Sequence, residues 1–266
     1  MKPTLDYQEI NRELWNTKTA VHLTSEFYDL PGFLAGKNSL KPIELSMLGD
    51  VREKDILHLQ CHFGQDSLSL ARMGANVTGV DLSDVAIEKA QHLAKLTDTN
   101  AEFIQSDVLD FIGKTEKRFD IVFATYGTIG WLPDLEIWAK TVSHYLKPSG
   151  SFVFVEGHPV LWMMDEDVKD VKYRYFKSDP IIESETSSYT DGGQHKELKS
   201  VSWNHSLSEV VNALISNNIR INRLDEFDYF PYPIFKEKEE RPQGHFRPIH
   251  HQDKLPLTYA IHGTKM

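Results

Sequence analysis

The sequence predicts a single Rossmann-like α/β domain, with a mostly parallel sheet of seven strands and helices on both of its faces. Two observations predict this fold. Between residues 55 and 157, short apolar runs alternate with amphipathic helical segments, which is the order of parallel strands joined by crossover helices. These runs are also nearly continuous in hydrophobicity, as expected of strands covered on both faces. The length of 266 residues suits one large domain.

The first part of the chain, residues 1–50, is predicted to form helices and loops. Asp6 and Glu9 have the spacing of a capping pair ahead of a helix. The segment SLKPIELSMLGD is predicted to form a helix that ends at Gly49. Because residues 1–50 precede the sheet, they lie outside its strand-end loops.

Residues 51–157 are predicted to form the core of the sheet. Its first five strands are the runs DILHLQC, NVTGVD, AEFIQSD, FDIVFATYG and SFVFVEG. Between them, SLSLARMG is predicted as a helix closed by Gly74, Ser83 caps a second helix, and Pro133 opens a third. The segment LKPSG is predicted to be a turn before the fifth strand. The apolar face of the second helix consists of Val85, Ala86, Ala90, Leu93 and Ala94. The apolar face of the third consists of Leu135, Trp138, Val142 and Tyr145.

After the fifth strand the pattern changes. Residues 158–205 are polar and aromatic, and we interpret them as an insert of extended segments that pair with each other or with the sheet edge. Residues 206–266 return to the sheet: Ser206 caps the helix SLSEVVNALISNN, IRINRLDEF is the sixth strand, and LPLTYAIHGTK is the seventh.

Composition excludes several classes of protein. The formal net charge of −10 argues against the positively charged surface that a nucleic-acid-binding protein needs. The single cysteine, Cys61, cannot form an intrachain disulfide. The N-terminus has polar residues where a signal peptide needs an apolar run, and no apolar stretch is long enough to span a bilayer. We therefore expect a cytoplasmic protein with neither a nucleic-acid nor a membrane partner.

Polar residues follow the first three predicted strands. The turn from Gln60 to Gly64 follows the first, Asp81 the second and Asp107 the third. In an open parallel sheet, ligands bind beyond the carboxyl ends of the strands. Asp81 lies 20 residues beyond Cys61, where a carboxylate that accepts from two ribose hydroxyls is expected. Asp107 lies where an adenine amine would be received.

Taken together, these motifs resemble the class I S-adenosylmethionine-dependent methyltransferases. The resemblance runs from about Asp55 to Gly157, through ILHLQCHFG, GVDLS, QSDVLDF, FDIVFATYG and LKPSG, in that order. IRINRLDEF and LPLTYAIHGTK resemble the last two strands of that family, in which the seventh strand inserts antiparallel. The family implies S-adenosylmethionine as the cofactor, an N-terminal helical lid at residues 1–50, and an acceptor pocket shaped by the insert at 158–205.

The first motif departs from the family pattern at three positions. His58 replaces an acidic residue, and Gln60 and His62 replace glycines, while Gly64 is kept. A dinucleotide pyrophosphate must lie against bare backbone, so the missing glycines count against NAD. S-adenosylmethionine has no phosphate, and side chains can line its site. We expect the turn to bind the methyl donor if Gln60 and His62 avoid positive φ angles or point into the pocket.

The resemblance implies three sets of site residues, and no metal ligands are expected. The predicted cofactor-binding residues are Gln60, Cys61, His62, Phe63, Gly64, Asp66, Asp81, Leu82, Ser83, Ser106, Asp107, Val108, Thr125 and Tyr126. The general-base candidates are Glu156 and His158, which follow the fifth strand. The lid and substrate-pocket candidates are Trp15, His22, Tyr28 and Trp131.

The sequence therefore predicts an enzyme that transfers a methyl group from S-adenosylmethionine to a small-molecule acceptor. Its residues would align the acceptor with the sulfonium methyl group. Two alternatives stay open: a non-catalytic protein that binds S-adenosylmethionine, and an NAD-dependent oxidoreductase. The sequence leaves open the accepting atom (O, N, S or C) and the oligomeric state. Aromatic residues of the insert favour a partly apolar or cationic acceptor; they are Trp162, Tyr173, Tyr175, Tyr189 and Trp203.

Overall fold

The fold was determined as a computed structural model that describes residues 6–191, 193–251 and 253–266. Its centre is a seven-stranded sheet. The strands are β1 (Asp55–Leu59), β2 (Asn76–Asp81), β3 (Ala101–Gln105), β4 (Phe119–Thr125), β5 (Leu146–Gly157), β8 (Ile219–Phe227) and β11 (Thr258–Lys265). Residues 1–5 of the predicted lid, Gly192 of the insert and Gln252 lie outside the described residues.

The order of the strands is β3-β2-β1-β4-β5-β11-β8. The pairs β1–β2, β2–β3, β1–β4 and β4–β5 are parallel. Strand β11 lies between β5 and β8 and is antiparallel to both. The predicted mostly parallel sheet with an antiparallel last strand is confirmed.

Helices cover both faces of this sheet. The main ones are α3 (Pro42–Leu48), α4 (Gln65–Arg72), α5 (Asp84–Leu96), α6 (Leu135–Tyr145) and α8 (Leu207–Ser216). Alternate strand residues face opposite sides: Leu57 and Phe152 pack with α6 and α8, whereas Ile56 and Val153 pack with α3. Burial on both faces explains why the strands are continuously apolar in sequence.

Several helix ends are the ones that the sequence predicts. The Asp6 carboxylate accepts a hydrogen bond from the backbone N–H of Glu9, and the hydroxyls of Ser83 and Ser206 cap α5 and α8. Gly49 follows α3 with a φ of 64°. The Ser83, Ser206 and Gly49 signals are confirmed because short polar side chains satisfy free N–H groups and glycine tolerates positive φ.

Two boundaries differ from the prediction. Helix α6 begins at Leu135 rather than at Pro133, because the Asp134 carboxylate accepts from the backbone N–H groups of Glu136 and Ile137 and thereby caps it. The segment LKPSG belongs to β5 rather than to a turn, since Leu146 pairs with Phe119 before an irregularity in the register.

The N-terminal segment and the insert pack against each other. The N-terminal helices are α1 (Tyr7–His22), a 3₁₀ turn at Glu26–Tyr28, and α2 (Leu30–Leu34). The insert contains α7 (Pro159–Trp162) and a hairpin of β6 (Ile181–Ser187) and β7 (Gln194–Ser202), whose strands pair with each other. The amide of Asn11 in α1 both donates to and accepts from the backbone of Val201 in β7, at 2.8 and 2.9 Å.

A second small hairpin precedes the last strand. It consists of β9 (Lys238–Glu240) and β10 (Phe246–Pro248), in the segment between β8 and β11. Among the helices of residues 6–191, 193–251 and 253–266, none has the length and apolar character needed to cross a membrane.

Candidate active site

The turn after β1 lies at the carboxyl edge of the sheet, and three of its residues have positive φ. The φ angles are 54° at Gln60, 50° at His62 and 80° at Gly64. The condition that Gln60 and His62 avoid positive φ is therefore not met. Asparagine, aspartate and histidine are the non-glycine residues found most often in this conformation, so His62 is better suited to it than Gln60. Gln60 is held by a 2.8 Å hydrogen bond from its Nε2 to the carbonyl of Thr128.

Asp81, at the end of β2, joins this turn to the start of α5. One carboxylate oxygen accepts from the backbone N–H of His62 at 2.8 Å, and the other accepts from the N–H of Ser83 at 2.8 Å. Burial raises the pKa of Asp81 to about 6, although these hydrogen bonds oppose the change. Each oxygen keeps a second lone pair, so the carboxylate can still receive two vicinal hydroxyls.

Asp107, which follows β3, is already engaged by the N-terminal helix. Its Oδ2 accepts from the hydroxyl of Tyr7 at 3.1 Å and from Nε2 of Gln8 at 3.0 Å, while Oδ1 accepts from the N–H of Leu109 at 2.7 Å. The position where an adenine amine is expected is thus occupied by two donors from α1. The sequence did not predict this contact, because Tyr7 and Gln8 lie about a hundred residues away.

Several predicted cofactor residues direct their side chains into the protein interior. Cys61 and Phe63 belong to a buried cluster with α5, and Val108 belongs to the cluster beneath α6. Their side chains contribute packing, so only their backbone can face a ligand. Others support the edge through hydrogen bonds: the Ser106 hydroxyl donates to the carbonyl of Asp107, and the carbonyl of Leu82 accepts from Gln105.

On the other side of the turn, buried ionisable groups surround the end of β4. Thr125 is buried, and the hydroxyl of Tyr126 donates to Oε2 of Glu44 at 2.7 Å. Glu44 is fully buried, which raises the pKa of its carboxyl to about 8. Asp66 accepts from the Ser39 hydroxyl at 2.5 Å. Sequence reasoning missed Glu44, because one acidic residue within a predicted amphipathic helix gives no signal of burial.

The two general-base candidates have structural contacts that use their polar atoms. The carboxylate of Glu156 accepts from the backbone N–H groups of Gly127, Thr128, Ile129 and Gly157. Nδ1 of His158 accepts from the N–H of Val160, and its Nε2 lies 2.9 Å from a carboxylate oxygen of Glu226. Glu156 shapes the loop after β4, and His158 caps α7. These contacts favour a positioning role over proton abstraction, and we do not retain either residue as the base.

The four lid candidates lie together above the turn. The ring centroids of Trp15 and Trp131 are 5.3 Å apart, those of Trp15 and His22 are 6.1 Å apart, and those of His22 and Tyr28 are 5.0 Å apart. His62 lies at the centre of this group, 5.4 Å from Trp15 and 5.0 Å from His22 between ring centroids. The predicted N-terminal residues therefore meet the predicted cofactor turn directly.

Aromatic residues of the insert divide into two sets. Tyr189 reaches the lid, where its hydroxyl lies 2.5 Å from that of Tyr28. Trp203 packs against Tyr7 with a centroid distance of 5.6 Å. Trp162 instead donates to the carbonyl of Gly157 at the end of β5, and Tyr173 bonds within the insert to Glu183.

The histidines of the loop HFRPIHH have separate partners. His245 stacks on Tyr229 with centroids 3.5 Å apart, and His250 lies 2.9 Å from a carboxylate oxygen of Glu237. Within the part of the chain that the structure describes, no three His, Cys, Asp or Glu side chains converge as metal ligands would.

The segment that contains this turn is similar to a known protein family. Residues 56–150, from β1 to the middle of β5, match the family model of a methyltransferase domain. The resemblance to class I S-adenosylmethionine-dependent methyltransferases is confirmed. This matched segment of the methyltransferase fold contains the turn, Asp81 and Asp107.

The structural neighbours share the class I methyltransferase fold. A methyltransferase from Mesorhizobium loti has a TM-score of 0.58 and 22% identity, with 87% of this chain and 100% of that chain covered. A putative methyltransferase from Listeria monocytogenes has a TM-score of 0.57 and 20% identity, with 83% and 95% covered. At these identities the likeness establishes the fold alone.

The curated relatives are similar over part of their length. A ubiquinone biosynthesis O-methyltransferase from Serratia proteamaculans is 26% identical over 148 residues, which are 53% of this chain and 61% of that protein. The chain thus matches about three-fifths of this relative.

Proposed function

We propose that this chain transfers a methyl group from S-adenosylmethionine to a small-molecule acceptor. The observation that carries the proposal is the pairing of Asp81 with the backbone of the turn after β1, inside the segment that matches a methyltransferase domain. The net charge of −10 supports a small acceptor rather than a nucleic acid. The single cysteine, Cys61, is free and buried, which supports action in the cytoplasm.

The residues at the carboxyl edge fit this methyl donor. Asp81 and Asp107 offer acceptors to ribose hydroxyls and to an adenine amine. Among the described residues, Oε1 of Gln60 is buried without a hydrogen-bond partner, so it can receive a donor such as the ammonium group of the methionine part. Beside β4, a Cβ atom added at Gly127 would meet no atom within 4 Å, and this open space supports placing the donor and the acceptor there.

An NAD-dependent reaction is a poorer fit to the same turn. Dinucleotide turns use glycines so that a pyrophosphate can lie against the backbone and the N-terminus of the next helix. Here the side chains of Gln60 and His62 stand at two of the three glycine positions. The sulfonium donor has no phosphate to place there.

When bound, the donor supplies a methyl group that its sulfonium already makes electrophilic. The chain's own residues then have three tasks. Asp81 and Asp107 hold the nucleoside, Trp15 and Trp131 cover the turn and exclude water, and the loop after β4 aligns the acceptor. The rigid support for that loop is Glu156, which accepts hydrogen bonds from three of its backbone N–H groups, those of Gly127, Thr128 and Ile129.

Melting temperatures with two ligands test the choice of cofactor. S-adenosylhomocysteine should raise the melting temperature and NAD should not, because only a ligand that binds the native state stabilises it. A shift with NAD and none with S-adenosylhomocysteine would reverse the assignment. A shift without any methyl transfer would indicate the non-catalytic binding protein instead.

A further inference from the structure

A buried histidine and a half-buried histidine from distant parts of the chain form a pair at the turn. Nδ1 of His22, at the end of α1, lies 2.8 Å from Nε2 of His62. The other ring nitrogen of His22, Nε2, lies 2.7 Å from the hydroxyl of Ser188, which follows β6. His22 is 0% exposed. A hydrogen-bonded chain of three side chains therefore runs from His62 in the turn, through His22 in the lid, to the half-buried Ser188 of the insert.

Burial keeps this pair uncharged. Burial is the main cause that lowers the pKa of His22 to about 2 and that of His62 to about 3, and the nearby positive charge of Lys18 contributes to both shifts. Neutral imidazole carries one N–H and one lone pair. If Nε2 of His62 donates to His22, then His22 donates onward to Ser188, and Nδ1 of His62 is left with a free lone pair.

That nitrogen is unsatisfied in the structure. Among the described residues, Nδ1 of His62 is buried and has no hydrogen-bond partner. Buried polar atoms are nearly always paired, and an exception needs an explanation. Aromatic rings surround the imidazole ring of His62: its centroid lies 4.4 Å from that of Phe63, 5.4 Å from that of Trp15 and 5.7 Å from that of Tyr28.

Lys18 adds a positive charge to the same site. Its Nζ lies 5.4 Å from the ring centroid of Trp15 and 5.6 Å from that of Trp131, and it pairs with Glu185 of β6 at 2.5 Å. The side chain of Lys18 is only 5% exposed. Although it is paired with Glu185, its positive charge still acts on both imidazole rings, where it opposes protonation, and the same charge would favour an anion beside them.

We propose that His62 is the general base of the reaction, that His22 and Ser188 position it and relay its proton, and that the acceptor is a phenol-like hydroxyl on a flat aromatic body. The inference rests on the proposed methyl transfer. We infer a flat acceptor because aromatic rings line the site around His62. We infer an acidic hydroxyl because an uncharged imidazole can take its proton and the positive charge of Lys18 favours the resulting anion. The O-methyltransferase name of the Serratia relative agrees with an oxygen acceptor.

In the proposed step, a proton moves from the acceptor through three side chains to water. The acceptor hydroxyl gives its proton to Nδ1 of His62, and its oxygen lone pair forms the new bond to the methyl carbon. The carbon–sulfur bond of the donor breaks, and its electron pair stays on sulfur. His62 passes the proton on its Nε2 to His22, which passes its own Nε2 proton to Ser188. The Ser188 hydroxyl releases a proton to water, and both histidines end as the opposite neutral tautomers.

Substitution by glycine offers a sharp test, because His62→Gly restores the residue that the family pattern has at this position. The backbone N–H that holds Asp81 is kept, and glycine tolerates the φ of 50°. We therefore expect S-adenosylhomocysteine to bind His62→Gly with an affinity within about 3-fold of the original, a difference under about 1 kcal/mol. The exposed His92→Gln is the matched control.

The acceptor probe is 4-nitrophenol, whose phenolate absorbs visible light. In the presence of S-adenosylhomocysteine, and below the solution pKa of the probe, the unaltered protein and His92→Gln should bind it as the phenolate. His62→Gly should bind it at least about 10-fold more weakly or as the neutral phenol. Binding of the neutral phenol by the unaltered protein, absence of binding, or an undiminished phenolate band in His62→Gly would each overturn the inference.

Nitrogen-15 spectra of the unaltered protein give a readout that does not depend on any variant. They should show Nδ1 of His62 without a proton and Nε2 of His22 with one; a protonated Nδ1 on His62 in the free protein would contradict the relay. Failure of the proposed function is separable, because the unaltered protein would then not bind S-adenosylhomocysteine, or would transfer no label from S-adenosylmethionine to any small molecule. Failure of the inference alone leaves both the binding and the transfer intact.

Discussion

The backbone N–H of His62 donates a 2.8 Å hydrogen bond to the carboxylate of Asp81. This contact joins the turn after β1 to the end of β2. It holds His62 in a backbone conformation that most side chains avoid, and it fixes the carboxylate that we assign to the donor ribose. One hydrogen bond therefore links the altered glycine turn to cofactor binding.

The first prediction concerns Asp81. Asp81→Ala should weaken S-adenosylhomocysteine binding by about 1.5–3 kcal/mol, the range for hydrogen bonds to a charged group. Calorimetry on both proteins measures this difference. Asp98→Asn, at an exposed position, should bind like the unaltered protein. Equal affinity in Asp81→Ala would remove Asp81 from the site.

The second prediction concerns Gln8, which donates to Asp107 at 3.0 Å. If adenine uses Asp107, this bond must be exchanged on binding. Gln8→Ala should then tighten S-adenosylhomocysteine binding by about 0.5–1.5 kcal/mol, the net contribution of one hydrogen bond. Glu9→Ala, at the neighbouring exposed position, is the control. Weaker binding by Gln8→Ala would mean that Gln8 contacts the donor itself.

Hydrogen exchange tests the same competition within α1. The first turn of α1, at Tyr7 and Gln8, should lose protection when S-adenosylhomocysteine binds. The end of the helix near His22 should stay protected, since Leu14, Thr19 and His22 are fully buried. Unchanged exchange along all of α1 would show that Asp107 does not receive the adenine.

The N-terminal segment belongs to the folded interior as well as covering the turn. Here Leu14 and Phe33 belong to the buried interior, and Asn11 pairs with the backbone of β7. Deleting residues 1–35 would therefore expose apolar surface of the fold as well as remove a lid.

Most of the fold follows from local patterns in the sequence. The strand IRINRLDEF matches β8 from Ile219 to Phe227, and Ser206 caps α8 as its side-chain chemistry requires. Apolar periodicity and caps act within a few residues, so one sequence reveals them. The position of β11 between β5 and β8 was not local information; it came from the resemblance to a family.

The site was less accessible to sequence reasoning, because its decisive contacts join distant segments. His22 and His62 are 40 residues apart, and Tyr7 and Asp107 are 100 apart. Neither pair has a spacing that indicates contact. Glu156 illustrates a different reason: a carboxylate at a strand end has the sequence signature of a base, but the sequence does not reveal the four backbone N–H groups from which this carboxylate accepts.

The third prediction is a pH dependence from Glu44. Its pKa is about 8 in the folded protein and about 4.5 in an unfolded chain. Between these values the folded state holds a proton that the unfolded state releases, so the free energy of unfolding falls as pH rises from 4.5 to 8. The fall should be a few kcal/mol, since each pH unit corresponds to about 1.4 kcal/mol.

Glu44→Gln should remove this fall, so the variant should be the more stable protein at pH 8. Urea unfolding across the pH range measures it. Glu116→Gln, at an exposed position, should keep the original pH dependence. If Glu44→Gln shows the same slope as the unaltered protein, Glu44 does not titrate in this range.

The fourth prediction separates two roles of Glu156. Glu156→Gln should destabilise the fold by about 2–4 kcal/mol, because an amide NH₂ would face backbone donors that the carboxylate now satisfies. Denaturant unfolding measures this loss. A general base would behave differently, with unchanged stability and a rate about 10²–10⁴-fold lower. That second outcome would return Glu156 to the list of catalytic residues.

Transfer of a methyl group to a small molecule can be measured with an isotope-labelled donor. The protein is incubated with methyl-labelled S-adenosylmethionine and a metabolite extract, and the small-molecule fraction is analysed for label. We predict a labelled product that depends on the protein and is strongly reduced with Asp81→Ala. Binding of S-adenosylhomocysteine without any labelled small molecule would contradict the assignment as an enzyme.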